Sequence, residues 1–237
     1  MKLNSSILVL ITVTSVHSAT IVDNFESNTL NGGSGWSNNW TTSGSGSFVG
    51  GNVISGNHAG ALFGTSSLVR NFSAITSGTV TATWSIKGQG GSANFNEIGV
   101  NLLGLKSNTQ TNIITLKFND SNTSTLFLND GGSDFTQGAV GYTDNTIYDF
   151  TLSTTIGGDK YSWSVTQQGG GTASGTDFTF SGSGTTLTNV SGIAFFWSAD
   201  AGSGRDGFID NVSIIPEPSS ALLGALSAMM LLRRRRN

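Results

Sequence analysis

Lys160-Tyr-Ser-Trp-Ser-Val-Thr166 alternates large apolar and small hydroxyl side chains at a strict two-residue period. Successive side chains of an extended chain point to opposite faces, so this stretch reads as a strand with one face in a core and the other toward solvent. The same period, or a short apolar run, recurs in Thr79-Val-Thr-Ala-Thr-Trp-Ser-Ile-Lys87 and Ile147-Tyr-Asp-Phe-Thr-Leu-Ser153. It recurs again at 67–75, 97–103, 112–118, 124–128, 178–180, 191–197 and 207–214. Turn-forming clusters such as Asn129-Asp-Gly-Gly132, Ile156-Gly-Gly-Asp159 and Gln168-Gly-Gly-Gly171 separate them. Both prolines of the chain lie near its C-terminal end, at 216 and 218, and glutamate and lysine are scarce. The expectation is an all-β, two-sheet antiparallel sandwich of roughly ten to fourteen strands, jelly-roll-like, spanning residues 20–215 as one domain.

Composition narrows the chemistry. Residues 20–215 hold six basic residues against thirteen acidic ones, a net charge of −7 that makes nucleic acid an unsuitable partner. The chain has no cysteine, which excludes disulfides, thiolate metal sites and cysteine nucleophiles together. The N-terminus carries one cation at Lys2, an apolar run Ile7-Leu-Val-Leu-Ile-Thr-Val13 and small residues in Val16-His-Ser-Ala19. This is the pattern of a secretory signal peptide over residues 1–19, with the mature chain starting at Ala19 or Thr20.

The C-terminus, residues 216–237, has three parts in fixed order: Pro216-Glu-Pro218, an uncharged apolar run at 219–232, and Arg233, Arg234, Arg235 and Arg236. Two prolines around one residue keep the chain extended and outside any helix. A helix over 219–232 spans only about 21 Å at about 1.5 Å per residue, short of the roughly 30 Å of a hydrocarbon core. The arginines favour the cytoplasmic side, so the tail orients the domain outward while holding it weakly. These residues resemble the PEP-CTERM sorting signal of Gram-negative bacteria that make extracellular polysaccharide. The resemblance implies recognition of Pro216, Glu217 and Pro218 by the membrane protease-transpeptidase exosortase, transient retention at the inner membrane, and release to the cell surface or extracellular matrix.

Asp-Asn follows an apolar pair near both ends of the sandwich, in Ile21-Val-Asp-Asn-Phe-Glu-Ser27 and Gly207-Phe-Ile-Asp-Asn-Val-Ser-Ile214. Such ends resemble those of carbohydrate-binding modules and concanavalin-like lectin domains, a likeness that implies pairing of the first and last strands and a structural calcium at their junction. Asp23, Glu26 and Asp210 are the candidate ligands, and solvent-facing strand and turn positions are the alternative for them. Trp36 and Trp40, in Gly32-Gly-Ser-Gly-Trp-Ser-Asn-Asn-Trp-Thr-Thr42, are candidates for stacking on sugar rings, with capping of the core edge as the alternative. Trp84, Trp163 and Trp197 fall inside strands and read as core. His58 reads as a loop histidine without metal-ligand spacing. No catalytic residue is assigned, since Glu97 has no acidic partner two or four positions on. The expected function is an exported, non-catalytic surface protein that binds glycan; a secreted glycan-active hydrolase or lyase of concanavalin-like fold is the alternative.

Overall fold

The computed structural model describes residues 19–44, 48–51, 54–89, 95–106, 109–119, 125–130, 133–180, 186–199 and 206–217. The expected signal segment before Ala19, and Pro218 with the apolar tail and its arginines, lie outside the described residues. In chain order the strands are β1 (Ile21–Asp23), β2 (Thr41–Gly44), β3 (Phe48–Gly51), β4 (His58–Phe63) and β5 (Ser66–Ile75). Then come β6 (Thr79–Gln89), β7 (Phe95–Lys106), β8 (Thr109–Asn119), β9 (Thr125–Asp130) and β10 (Ser133–Gly141). Last are β11 (Ile147–Thr155), β12 (Lys160–Gln167), β13 (Thr172–Thr179), β14 (Leu187–Ala199) and β15 (Asp206–Glu217).

The strands form two antiparallel sheets, as the alternation requires. One runs β13-β12-β11-β6-β15-β4-β3, with β1 also on β15; the other runs β10-β9-β8-β7-β14-β5-β2. First and last strands therefore pair, Ile21 opposite Ile214 and Asp23 opposite Val212. β15 changes partner along one edge: residues 206–209 face β4 and residues 212–214 face β1. The ladder with β6 shifts register between Asp210 and Ser213, and Asn211 takes a left-handed φ of 54° there, a conformation asparagine tolerates.

Burial follows the two-residue period. Val80, Ala82, Trp84 and Ile86 of β6 point inward with Tyr148, Phe150 and Leu152 of β11 and Tyr161, Trp163 and Val165 of β12. The Trp84 ring stacks on its ladder neighbour Phe150 at 5.4 Å and, across the sandwich, meets Phe195 of β14 edge-on at 6.2 Å. Trp84, Trp163 and Trp197 all belong to this core. β15 continues past Ile215, setting Pro216 opposite Val80 and Glu217 opposite Thr79.

Candidate functional site

The junction of β1 and β15 concentrates the charged and aromatic residues singled out by the sequence, but sorts them differently. Asp23 closes β1 with its side chain inward, where it is wholly buried and paired with Arg70 of β5 at 2.5 Å. Its other hydrogen bonds come from the Phe25 backbone N–H at 2.9 Å and Trp40 Nε1 at 2.8 Å. Phe25 adopts a left-handed φ of 55°, uncommon for a bulky residue, and the Asp23 cap together with full burial of the ring holds it there. Arg70 donates further to the carbonyl oxygens of Asn38 at 2.7 Å and Gly32 at 2.7 Å. Burial pulls the Arg70 guanidinium below its ordinary value and the Asp23 charge opposes that shift.

This cluster corrects the sugar-stacking expectation for Trp40 and sets Trp36 at the edge of the core. Trp40 is 3% exposed, stacked on Phe25 at 5.5 Å and tilted against Phe195 at 5.9 Å, so neither face is open to a ligand. Trp36 is half-buried, with Nε1 on the Val22 carbonyl at 3.0 Å and the Arg70 guanidinium 4.8 Å from its ring centroid. Both rings seal the core edge around Arg70. The glycine-rich loop concealed this because their partners, Asp23 and Arg70, lie far away in sequence.

The calcium expectation meets a parallel difficulty. Asp23 is neutralised by Arg70 and its oxygens are taken by internal donors. Glu26 instead accepts from the backbone N–H groups of Asn57 at 2.9 Å and His58 at 3.1 Å. Asp210 accepts from the Ser55 hydroxyl at 2.6 Å, the Ser55 N–H at 3.2 Å and the Asn211 N–H at 2.7 Å. Among the described residues no three His, Cys, Asp or Glu side chains gather as a metal cage, and Asp23, paired with Arg70, is not free to join Glu26 and Asp210 on a cation. Glu26 and Asp210 clamp the 54–58 turn over the place where β15 changes partner.

Their titrations oppose each other. Backbone hydrogen bonds from His58 and Asn57 hold Glu26 below the usual carboxylate value, so it stabilises the fold above that value and the gain disappears as pH falls through its lowered pKa. Burial pushes Asp210 up, against its hydrogen bonds from Ser55 and Asn211. The ionised Asp210 therefore costs stability at neutral pH, and acidification through its raised pKa relieves that cost. His58 meets Glu26 through its backbone and opens β4. Glu97 lies in β7 opposite Asn119.

Two surfaces escaped the sequence reading. A cleft of about 330 Å³ at the junction is lined by Val22, Asn24, Asn211 and Ser213, among others. The second is the outer face of the first sheet. Thr79, Thr81 and Thr83 of β6 stand beside Thr155, Ser153 and Thr151 of β11. Thr151 and Ser153 stand in turn beside Ser164 and Ser162 of β12, and Ser164 beside Ser174 of β13. Hydroxyls bond across the strands, Thr79 to Thr155 at 3.2 Å and Thr166 to Thr172 at 3.2 Å. Ser85 donates to the Asp149 carboxylate of β11 at 2.6 Å. Neighbouring rows are spaced about 4.8 Å apart and same-face positions along a strand about 6.7 Å. The alternating hydroxyls were visible in each strand, but only strand order and register make them one surface.

No protein-family model matches this chain, and no curated protein matches its sequence. Among solved structures, a sialidase superposes on 84% of the chain with a TM-score of 0.54 and 14% identity, although the chain spans only 19% of that protein. Lectin II from Ulex europaeus superposes on 76% of the chain and 90% of its own length, with a TM-score of 0.50 and 8% identity. At such identities the likeness is one of architecture, and it places the chain among antiparallel β-sandwiches.

Proposed function

We propose that this chain is an exported surface or matrix protein whose sandwich contacts glycan through the outer face of its first sheet, and whose tail is a PEP-CTERM-like sorting signal read by exosortase. The observation that carries the glycan reading is the continuous hydroxyl surface on β6, β11, β12 and β13. Each Ser or Thr hydroxyl donates one hydrogen bond and accepts two, which matches the mixed donor and acceptor pattern of sugar hydroxyls. The face lacks the aromatic and arginine anchors that dominate protein interfaces. Its low charge suits a neutral polysaccharide, and the twist natural to sheets suits a flexible chain more than a flat crystal.

The test is retention of the mature chain on immobilised neutral and acidic polysaccharides. Thr151 and Ser164 are paired at the centre of the face. The double variant Thr151→Val with Ser164→Ala removes both hydroxyls without adding charge and is expected to weaken retention about tenfold, equivalent to about 1.4 kcal/mol, with a thermal midpoint close to the parent's. Equal retention of variant and parent, or no retention of the parent on any polymer, overturns the glycan reading.

The sorting half rests on the order of motif, apolar run and arginine block. Replacing Pro216, Glu217 and Pro218 by alanine is expected to leave the tail-bearing form in the inner membrane of a host that carries the peptidase. Immunoblots against the tail follow this directly, and ordinary processing of the variant removes the sorting reading.

A further inference from the structure

Val22 and Ile215 are the large apolar side chains left exposed among the described residues, each at 39%. They occupy one patch: Val22 stands opposite Ser213, and Ile215 lies two residues further along β15 on the same face. Cross-strand diagonal neighbours of this kind sit about 7–8 Å apart, within mutual reach of a single apolar partner group. The patch borders the cleft that Val22 and Ser213 line.

Among the described residues, no strand pairs with the edge beside it. β1 ends its pairing at Ile21 opposite Ile214, and Ala19 and Thr20 are exposed and outside the strand. Residues 215–217 are therefore bonded to β6 on one side and, among the described residues, to no strand on the other. A proline within a ladder is tolerated where its missing N–H faces such an open edge.

No spacer separates this corner from the motif. Pro216 and Glu217 are the last two residues of β15, so an enzyme that grips Pro216-Glu-Pro218 must abut β15 and the start of β1 as well. The twenty residues from Pro218 to Asn237, with their apolar run and arginine block, follow Glu217 directly in sequence, so on the sorting reading a membrane-embedded partner works next to this corner.

Building on the sorting reading above, we propose that the processing peptidase docks on the folded sandwich itself, with Val22 and Ile215 as apolar anchors and the open edge at 215–217 as the contact line. The recognition element is then a corner of the domain together with the tripeptide.

The test compares full-length chains in a host carrying the peptidase, following conversion of the tail-bearing to the tail-free form. Val22→Lys with Ile215→Lys changes two exposed side chains and is expected to slow conversion about tenfold at an unchanged thermal midpoint. A short Gly-Ser spacer inserted between Ile215 and Pro216 is expected to slow it as well, because it parts the tripeptide from its anchors without altering either. Parental rates for both variants, or faster conversion of the spacer variant, overturn the docking corner. The alanine replacement of the tripeptide, run alongside, separates the two ideas: if it is processed normally the sorting reading itself falls, and if it alone is blocked only the corner does.

Discussion

Replacing Arg70 with alanine is expected to cost about 3–5 kcal/mol of folding stability, because it leaves the buried Asp23 carboxylate without its counter-charge. For a domain of this size that amounts to a fall of roughly 6–20 °C in thermal midpoint at about 2–4 °C per kcal/mol. The estimate rests on both side chains being withdrawn from water, at 3% and 0% exposure, and on the bonds lost with the guanidinium. The carbonyl oxygens of Asn38 and Gly32 lose their donor, and Trp36 loses the cation over its ring. Arg70→Lys is expected to rescue little, since a single ammonium cannot reproduce the fork that serves acceptors on three segments. Arg70→Met combined with Asp23→Leu is expected to recover much of the loss, because an apolar pair of similar volume carries no buried charge. Urea denaturation of the three variants decides the matter. A loss below about 1 kcal/mol for Arg70→Ala would place the pair in effective contact with water, where ion pairs contribute little.

Arg70 also marks how much of this structure was legible beforehand. The alternation in 67–75 puts Leu68, Arg70 and Phe72 on one face, and that face proved to be the buried one. A lone arginine in the core phase of a strand signals a buried carboxylate partner, although it cannot say which. Asp23 was singled out because Asp-Asn follows an apolar pair near both termini, and pairing of the first and last strands was expected from the likeness of those ends to carbohydrate-binding modules and lectin domains. What the sequence left open was the competition for its oxygens, which Arg70, Trp40 and the Phe25 N–H win. Strands and their inward faces could be read because burial repeats every two residues. Strand order and register could not, and both the hydroxyl face and the corner at Ile215 depend on them.

Trp197 shows the same dependence in the core and supports the second large effect. Its ring, 2% exposed on β14, lies against two glycines of the opposite sheet, Gly88 of β6 and Gly207 of β15, which are direct ladder partners. A Cβ at Gly207 would stand 2.7 Å from Cε3 of the indole, and one at Gly88 would stand 3.2 Å from Cη2 and 1.9 Å from the Tyr142 hydroxyl. Glycine weakens a strand interior, so its presence on both partner strands is explained by the ring it admits. Trp197→Ala is expected to cost about 3–5 kcal/mol through lost burial and the cavity left above the glycines. Gly207→Val should cost about 1–3 kcal/mol by overpacking against a ring that has no room to withdraw. The two changes should not add. With the smaller Phe at 197, Gly207→Ala is expected to be at least about 0.5 kcal/mol less damaging than in the parent, the coupling of residues that share one space. A double-mutant cycle in urea measures that difference, and strict additivity would mean that the glycines answer to the backbone and not to the ring.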